Sequence, residues 1–584
     1  MKKFLVGHTG LWLSLIFGVI IFLFWDVRYP HALNYQEQYQ LFLWTGDYLV
    51  NNLSLPGGLA CYIGEFLTQF YYIGWLGALI LAVLFVLLQI LVCKTIQSTW
   101  CEESKNEKVE STSCKGSNLS YSLFTLRSSF IISFIPAILL LWYMGDESVL
   151  LSYPVALILT LACYSIFKKT HILYDIIIIP FLYWIAGPMV WLYAILRVLR
   201  HKKWRGILFL LYIYLLQMLA YNSVLRQWPL ESVLFGVGYY RMPLHNPPLQ
   251  TIIPLAIIIA ALIAEVKSER LKVKGEKGGE EKGSVLLLVV ALGACLVLGI
   301  CADIFGYDKD KYELIKQDYL VRNERWDDVI RNAEKYCVSV NFWSECVNLS
   351  LAMTGQLAQR QFSFYQSGTD ALIMPMVRDL TSNLPSMEAF YRLGLVNECM
   401  RYAFDLQESI PFDKKSGRLC KRIVECSIIN GKYGLAQKHI DLLKKSTFYR
   451  KWAKDAEQYL YNEGWIDNHP VWGRLRQLRF RDDFLFYYPE LQKILGNLFL
   501  DNKQNKMALE YFLAQTLLNG DVQGFMQYIA LAQQFGGYSS MPYTYQDAYK
   551  CIQAHGNLPG SRYAEYAKKM TMTKQKIEEE ESAH

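Results

Sequence analysis

The chain has 584 residues, of which 53% are hydrophobic and only 19% are charged, whereas a soluble protein carries about 25% charged residues. Its net charge of +7 is modest, so we expect no nucleic-acid partner. A single hydrophobic core stops growing near about 250–300 residues, which excludes a one-domain soluble protein and leaves two or more folding units.

Long apolar runs are confined almost entirely to residues 1–303. They lie near residues 11–25, 71–93, 128–144, 149–167, 172–186, 188–199, 206–225, 248–266 and 285–303. A helix of roughly 20 apolar residues crosses the hydrocarbon of a membrane. We therefore predict an all-α fold: a polytopic membrane bundle of about nine spans in 1–303, an external helical-repeat domain in 304–567, and a charged tail in 568–584.

One apolar run, residues 172–199, is interrupted by Gly187-Pro188. Proline disrupts the hydrogen bonds of a helix and favours a turn or a kink. Each half of the run is short for about 30 Å of hydrocarbon. We predict a hairpin that crosses twice, although a single broken span is the alternative.

Basic residues give the orientation of the spans, because cytoplasmic loops retain lysine and arginine. Cationic clusters occur in alternate loops, near residues 2–3, 94–115, 168–169, 197–205 and 267–282. Their alternation requires the 172–199 run to cross twice. It predicts a bacterial inner-membrane protein with a cytoplasmic amino terminus, an external loop at 26–70, and an external (periplasmic) domain after 303.

Ionisable residues are scarce within the apolar runs. Asp175 and Glu265 lie near the inner ends of their spans, where we expect interfacial placement. An ion-coupled transporter usually needs charges near the midplane, so this class is disfavoured. The thirteen cysteines include no CxxC pair and no regular spacing, which predicts mostly free, buried thiols rather than a disulfide framework.

The second half shows helical periodicity with short polar breaks. Gly496 and Phe499 fall on one predicted helix, and Ala508 and Phe512 fall on the next. Small residues let two helices approach, and the aromatic rings fill the space between them. This pattern is typical of a tetratricopeptide repeat unit, and two weaker copies precede it. An irregular α-bundle remains the alternative.

No motif in the chain indicates a phosphate cradle, a zinc site or a serine hydrolase. The nine histidines are scattered without metal-ligand spacing, so we predict no metal site, and the sequence names no cofactor. The remaining chemistry lies in the 26–70 loop, where one predicted interfacial helix (34–50) carries both Glu37 and Asp47 and a second runs from about residue 59 to 70.

Two helices along the interface, broken by Leu55-Pro-Gly-Gly58 and carrying a carboxylate between them, resemble the first external loop of GT-C superfold membrane glycosyltransferases. The resemblance covers about residues 1–95. It implies an acidic residue that acts as a base or metal ligand, and a sugar donor that is a polyprenyl phosphate of the outer leaflet.

On that resemblance, Glu37 is the first choice for the base that activates an acceptor hydroxyl and Asp47 the second. Arg226, Arg241 and His245 would contact the donor phosphate, since arginine offers a bidentate fork. The alternatives are structural. Glu37 would be a solvated side chain on an interfacial helix, and the arginines would contact lipid headgroups.

The whole chain also resembles a family of bacterial multispan proteins with a repeat-bearing carboxy-terminal half and no established activity. Residues 34–70 and the segment Trp326-Asp-Asp-Val-Ile330 carry that likeness. Two functions therefore stay open. One is a GT-C-like transferase in the lipid bilayer, and the other is a non-catalytic envelope scaffold whose repeats bind a protein partner.

Overall fold

A computed structural model describes residues 2–101, 130–201, 206–236, 248–273, 280–411, 414–480, 486–536, 538–556 and 558–582. Helices and short connections make up these residues, and no β-strand occurs among them. The prediction of an all-α fold is confirmed. The chain divides into two compact units, Met1–Lys309 and Asp310–His584.

The described part of the first unit forms helices α1 to α13. Their bounds are α1 (Lys2–Leu23), α2 (Pro30–Glu37), α3 (Gly46–Leu53), α4 (Gly58–Thr68), α5 (Gly74–Cys101), α6 (Phe134–Tyr143), α7 (Ser152–Phe167), α8 (Asp175–Ala186), α9 (Val190–His201), α10 (Gly206–Ser223), α11 (Leu230–Phe235), α12 (Leu249–Val273) and α13 (Glu280–Phe305). A π-helical turn follows α1, and a 3-10 turn joins α8 to α9.

The described part of the second unit forms helices α14 to α29. Their bounds are α14 (Lys309–Arg322), α15 (Trp326–Lys335), α16 (Asn341–Met353), α17 (Leu357–Arg360), α18 (Leu384–Leu393), α19 (Val396–Glu408), α20 (Gly417–Ile429), α21 (Tyr433–Leu443), α22 (Arg450–Glu457), α23 (Glu463–Asn468), α24 (Trp472–Leu478), α25 (Leu491–Asp501), α26 (Lys506–Asn519), α27 (Val522–Phe535), α28 (Tyr543–Gln553) and α29 (Arg562–Ser582). Residues 568–582 of the charged tail continue α29.

Several described segments have the length and composition that crossing a membrane requires. Three of them meet this requirement as single segments: Gly10–Arg28, Gly74–Gln97 and Asp175–Arg200. A fourth candidate counts Val289–Phe305 together with the helix that follows it, and shorter apolar helices cover Phe130–Tyr143, Ser152–Phe167, Leu208–Ser223 and Leu249–Ile263. The first unit therefore carries helices suited to a membrane, as the composition predicts.

The segment from Asp175 to Arg200 folds back on itself. α8 ends at Ala186, and Gly187, with a φ of 63°, begins the turn into α9. The Nε atom of Arg197 lies 2.8 Å from a carboxylate oxygen of Asp175. In a continuous helix these two residues would be about 33 Å apart, because each residue rises about 1.5 Å. The chain therefore reverses at Gly187, as the proline-glycine break predicts.

Residues 26–70 lie at one end of the first unit, which we call the loop face. Arg28, just after α1, pairs there with Asp303 near the end of α13. Tyr307 donates a hydrogen bond of 3.0 Å to the carbonyl of Leu141, near the end of α6. Helices α1, α6 and α13 therefore all end at the loop face.

Other helices begin at the loop face. Gly74, the first residue of α5, lies beside Pro30 at the start of α2. Gln250, near the start of α12, accepts hydrogen bonds from Tyr143 at the end of α6 (3.1 Å, side chain) and from Tyr153 near the start of α7 (2.8 Å, carbonyl). Helices α5, α7 and α12 therefore start from the face at which α1, α6 and α13 end.

The other end of the first unit, which we call the base, holds the ends of α8 and α9 that lie far from Gly187. Arg197 of α9 donates to the carbonyls of Phe167 (3.0 Å) and Lys168 (2.9 Å), where α7 ends. Tyr212, near the start of α10, donates to the carbonyl of Ile176 at 3.0 Å. Successive apolar helices thus begin and end alternately at the two faces.

Asp175 is more buried than its expected interfacial placement implies. Its side chain and that of Arg197 are 2–3% exposed, and Tyr193 donates a further hydrogen bond of 2.7 Å to the carboxylate. The reason is the hairpin, which brings the first turn of α8 against the last turns of α9. The charged pair is therefore internal to the base.

In the second unit, α25 and α26 pack through the residues that the repeat pattern singled out. A Cβ atom on Gly496 would lie 3.2 Å from the ring of Phe512, so a larger residue would push the helices apart. Ala508 and Phe499 are 0% and 1% exposed. The small-residue pattern therefore predicts this helix contact correctly.

Candidate functional site

Helix α2 presents a buried carboxylate at its end. Pro30 occupies the first turn, where its fixed φ suits a helix start, and Glu37 is the last helical residue. Glu37 is 3% exposed, whereas Asp47, in the first turn of α3, is exposed. Glutamate is almost never fully buried without a polar partner. Burial therefore distinguishes Glu37 from Asp47 and removes the reading of Glu37 as a solvated side chain.

Gln36 anchors the end of α2 to the turn that precedes α7. Its side-chain amide donates to the carbonyl oxygens of Glu147 at 3.2 Å and Val149 at 3.4 Å. These bonds hold the neighbouring Glu37 at a fixed position on the loop face.

A cluster of aromatic rings fixes α3 against α4. The ring of Phe42, which is 1% exposed, lies edge-to-face with four others, with centroid distances of 5.2–5.5 Å. The four are Trp44, Tyr48, Tyr62 and Phe66. Such contacts add to the stabilisation that area burial provides, so the two short helices form one packed layer.

Glu65 is a second buried carboxylate in this layer. It is 6% exposed and accepts a hydrogen bond from the hydroxyl of Tyr48. Burial, together with the charge of Glu65, raises the pKa of Tyr48 well above its ordinary value. The tyrosine therefore stays protonated and holds the carboxylate of α4 in one orientation.

The loop packs directly on the turn of the α8–α9 hairpin. The backbone N–H of Gly57 donates to the carbonyls of Tyr183 (3.1 Å) and Trp184 (2.9 Å), and the Trp184 indole donates to the carbonyl of Leu53 (2.8 Å). Gly57 has a φ of 76°, and a Cβ there would lie 3.2 Å from the Cα of Gly187. Only glycine fits this close approach, which explains the Pro-Gly-Gly break.

A cavity of about 530 Å³ lies beside the hairpin turn. Helices α9 to α12 and the turn at residues 188–189 form its walls. The lining residues are Pro188, Met189, Trp191, Leu192, Ile195, Tyr214, Leu234, Phe235, Gln250, Thr251, Pro254, Leu255 and Ile258. Nearly all of these side chains are apolar, as in a typical pocket for a small hydrophobic ligand.

Gln250 is the polar group that connects this cavity to the loop face. Its side-chain amide donates to the carbonyl of Phe235, while Tyr143 and Tyr153 hold its oxygen atoms from α6 and α7. The turn before α7 also binds Gln36. The cavity wall and the end of the helix that carries Glu37 are therefore both attached to the segment that joins α6 to α7.

The comparison of the whole chain with protein families gives one match. The model of DUF6057, a family of unknown function, matches residues 7–579. The chain belongs to this family. No curated protein and no solved structure matches it. Since the match covers both units, the family model describes both together.

Of the three cationic residues predicted to bind the phosphate in this DUF6057 protein, the structure describes only Arg226. Arg226 is exposed in the turn after α10, and among the described residues no ion pair joins it to Glu37 or Asp47. Arg241 and His245 lie outside the described residues. Their proposed contact with a phosphate stays a prediction.

Sequence reasoning did not select Glu65 as a site residue. The signal was present, because Glu65 is the only charged residue in the otherwise apolar α4. The described chain contains no group of three or more histidine, cysteine, aspartate or glutamate side chains placed to hold a metal ion. The acid–base side chains of the 26–70 loop are those of Asp26, His31, Glu37, Asp47 and Glu65.

Proposed function

We propose that the protein is a multi-pass bacterial inner-membrane protein whose first unit crosses the bilayer about nine times, with the hairpin counted as two crossings. The alternation of helix ends between the loop face and the base supports this arrangement. Lys168, Lys169 and Arg197 lie at the base, which is the face that the positive-inside rule assigns to the cytoplasm. The loop face and the second unit are then periplasmic.

For its activity, we propose a GT-C-like glycosyltransferase that moves a sugar from a polyprenyl-phosphate donor at the loop face. The observation that carries this proposal is the apolar cavity beside the hairpin turn. A polyprenyl chain is a long apolar ligand, and the cavity provides about 530 Å³ of apolar space. Its wall at Gln250 is hydrogen-bonded to α6 and α7, and Glu37, Asp47 and Arg226 are not among its lining residues. A bare membrane anchor has no use for such a cavity.

The proposed transfer needs a base near the acceptor. Glu37 takes the proton from an acceptor hydroxyl, the resulting oxygen attacks the anomeric carbon, and the bond from that carbon to the phosphate oxygen breaks. The polyprenyl phosphate leaves with the electron pair. Burial of Glu37 favours it over the exposed Asp47, because a base shielded from bulk water keeps its geometry. Arg226, Arg241 and His245 remain the residues proposed to bind the phosphate.

Filling the cavity tests this function. With a photoactivatable polyprenyl phosphate as the probe and the full chain in nanodiscs, we expect cross-linking to the wild type and at least a tenfold loss in Leu255→Trp, whose side chain lines the cavity. Leu219→Trp, on an exposed helix surface, is the matched control and should cross-link normally. Equal cross-linking of all three proteins would remove the cavity as the lipid site.

The second candidate function is a scaffold whose tetratricopeptide-like array binds a protein. Two exposed aromatic side chains favour the scaffold function, since Tyr461 and Trp465 are 73% and 54% exposed. Tyr461 also adopts a positive φ of 61°, which is a strained conformation for a bulky residue. Tyrosine and tryptophan are enriched at the centres of protein interfaces.

A comparison of two variants in cells separates the functions. If the loop is catalytic, cells that carry Glu37→Gln should show the same defect as cells that lack the protein, although the variant is expressed normally. Cells that carry the double variant Tyr461→Ser, Trp465→Ser should then behave like the wild type. If the array is the functional part, the opposite result is expected. Loss with the aromatic variant alone would contradict the transferase.

A further inference from the structure

Two buried cysteines face each other in the second unit. Cys399 lies on α19 and Cys426 on α20, and their sulfur atoms are 3.6 Å apart. Both side chains are 0% exposed. The sulfurs are therefore in van der Waals contact inside the core, although the two residues are separated by 27 positions in the sequence.

This distance is short enough for a covalent link. A disulfide brings two sulfurs to about 2.0 Å and tolerates either sense of rotation about the bond. Small rotations of the two side chains close the remaining gap, because the helices that carry them already pack against each other. No sequence spacing points to this pair, since the chain lacks a CxxC motif and the contact arises only from the packing of α19 on α20.

We propose that Cys399 and Cys426 form an intramolecular disulfide in the mature protein. The inference rests on the proposed placement of the second unit in the periplasm, where disulfides form and persist. The bond would clamp α19 to α20 at the level where Arg422 of α20 pairs with Glu388 of α18. It therefore acts on the stability of the unit and does not require that the protein be an enzyme.

The bond must form while the unit folds, before the thiols are buried. A protein disulfide of the periplasm serves as the oxidant. One thiolate attacks a sulfur of that disulfide, giving a mixed disulfide, and the second thiolate then attacks the chain's own sulfur. The two thiols lose their protons and two electrons, and the oxidant leaves as a dithiol.

Burial then protects the product. Burial raises the pKa of the Cys399 thiol well above its ordinary value, so the folded, reduced pair would hold few thiolates to attack an oxidant. The same burial keeps a reductant away from the finished bond. The redox state of the pair therefore records the compartment in which the unit folded.

Counting the thiols in the full-length protein tests the proposal. Cells are quenched in acid, the chain is denatured, and free cysteines are alkylated before or after reduction. We expect reduction to add two alkylated cysteines in the wild type and none in Cys399→Ser or Cys426→Ser. Cys420→Ser is the matched control, because Cys420 is a buried thiol of α20 whose described neighbour is the side-chain oxygen of Gln407 at 3.9 Å. In Cys420→Ser, reduction should still add two alkylated cysteines.

The outcome also separates this inference from the proposed placement. A wild-type chain whose alkylation does not change on reduction overturns the disulfide. If a reporter fused to the carboxyl end is then active outside the cytoplasm, the disulfide alone fails. If the reporter is active only in the cytoplasm, the placement fails with it. A peptide linked through Cys399 and Cys426 in a non-reduced digest supports the proposal directly.

Discussion

Glu345 shows what burial does to a carboxylate that has no cation beside it. It is 1% exposed in α16, and one carboxylate oxygen accepts a hydrogen bond from the hydroxyl of Ser386. Burial raises the pKa of Glu345 well above its ordinary value, and the Ser386 hydrogen bond only partly opposes this. At a pH between the ordinary and the raised pKa, the folded unit therefore binds this proton more strongly than the unfolded chain does.

Because of this raised pKa, we predict that the folding stability of the second unit falls as the pH rises. The contribution of Glu345 is fully present below the ordinary carboxyl pKa and is lost as the pH rises towards the raised folded pKa, since unfolding then releases a proton. We expect hydrogen-exchange protection of α16 in the full-length protein to decrease as the pH rises above the ordinary carboxyl pKa. In Glu345→Gln the decrease should be smaller. An identical pH profile in both proteins would contradict the prediction.

Glu388 behaves in the opposite way because its neighbours are arginines. Burial would raise its pKa, but Arg422, at 2.6 Å, and Arg418 outweigh burial and lower the pKa to about 2. Its contribution to stability is therefore present above the ordinary pKa and is lost as the pH falls towards about 2. The guanidinium of Arg422 also lies over the ring of Tyr391, at 3.7 Å from its centre. This cation–π contact helps to hold the guanidinium beside Glu388.

Removing the Glu388 carboxylate should be costly. We expect Glu388→Gln to lower the free energy of unfolding by about 3–5 kcal/mol, because buried guanidinium groups lose a partner. Glu490→Gln removes an exposed carboxylate that pairs with Lys493 at 3.2 Å and should change stability by less than about 1 kcal/mol. Urea unfolding of the full-length protein, monitored by hydrogen exchange, measures the free energy of unfolding of both variants. Similar losses in the two variants would show that burial does not decide the effect.

The α8–α9 hairpin depends on one arginine at its base. Arg197 pairs with Asp175, caps the end of α7 through the carbonyls of Phe167 and Lys168, and donates to the carbonyl of Thr170 at 3.0 Å. A single side chain thus joins three helices. Lysine cannot make all of these hydrogen bonds, because an ammonium lacks the planar fork that reaches several acceptors together.

This geometry predicts a strong effect of substitution at Arg197. Arg197→Met leaves the Asp175 carboxylate buried and orphans carbonyls at the end of α7, so we expect a loss of about 3–5 kcal/mol. Arg197→Lys should be intermediate. Lys169→Met, an exposed residue of the same connection, should be close to the wild type. Thermal unfolding in detergent ranks the three, and an Arg197→Lys protein as stable as the wild type would contradict the assigned role.

The elements differ in how far the sequence predicts them. Gly187-Pro188 predicts the hairpin and Gly496 predicts a helix contact, because glycine and proline act through local backbone geometry. The partner of Asp175 was not predicted, since Arg197 reaches it only after the chain reverses. The prediction of one helix over 34–50 was wrong, since α2 ends at Glu37 and α3 begins at Gly46. The burial of Glu37 and of Glu65 was missed for the same reason as the partner of Asp175. Each depends on which distant helices cover the 26–70 loop, and side-chain pattern alone does not contain that information.

At the scale of the whole chain, the proposed topology depends most on the hairpin, because the number of crossings at 172–199 determines the side of the membrane proposed for every later segment. If residues 172–199 cross twice, three crossings separate Lys169 from Arg226, and the two residues face opposite compartments. If the segment crosses once, two crossings separate them and they share a compartment. The first case is the one we propose. It requires a chain reversal like the one observed, in which Asp175 and Arg197 are in contact at the base and Gly187 lies at the loop face.

Labelling of single cysteines in intact cells tests this arrangement. In a background in which the exposed Cys337 is replaced by serine, we expect a membrane-impermeant maleimide to label Arg226→Cys and Asp47→Cys but not Lys169→Cys, all three positions being exposed. Lys169→Cys should become labelled only after the cells are permeabilised, which controls for its reactivity. The unmodified Cys337 should itself be labelled in intact cells, since the second unit follows α13 out of the loop face. Labelling of Asp47→Cys but of neither Lys169→Cys nor Arg226→Cys in intact cells would mean one crossing at 172–199, and the second unit would then lie in the cytoplasm, on the opposite side from the one proposed.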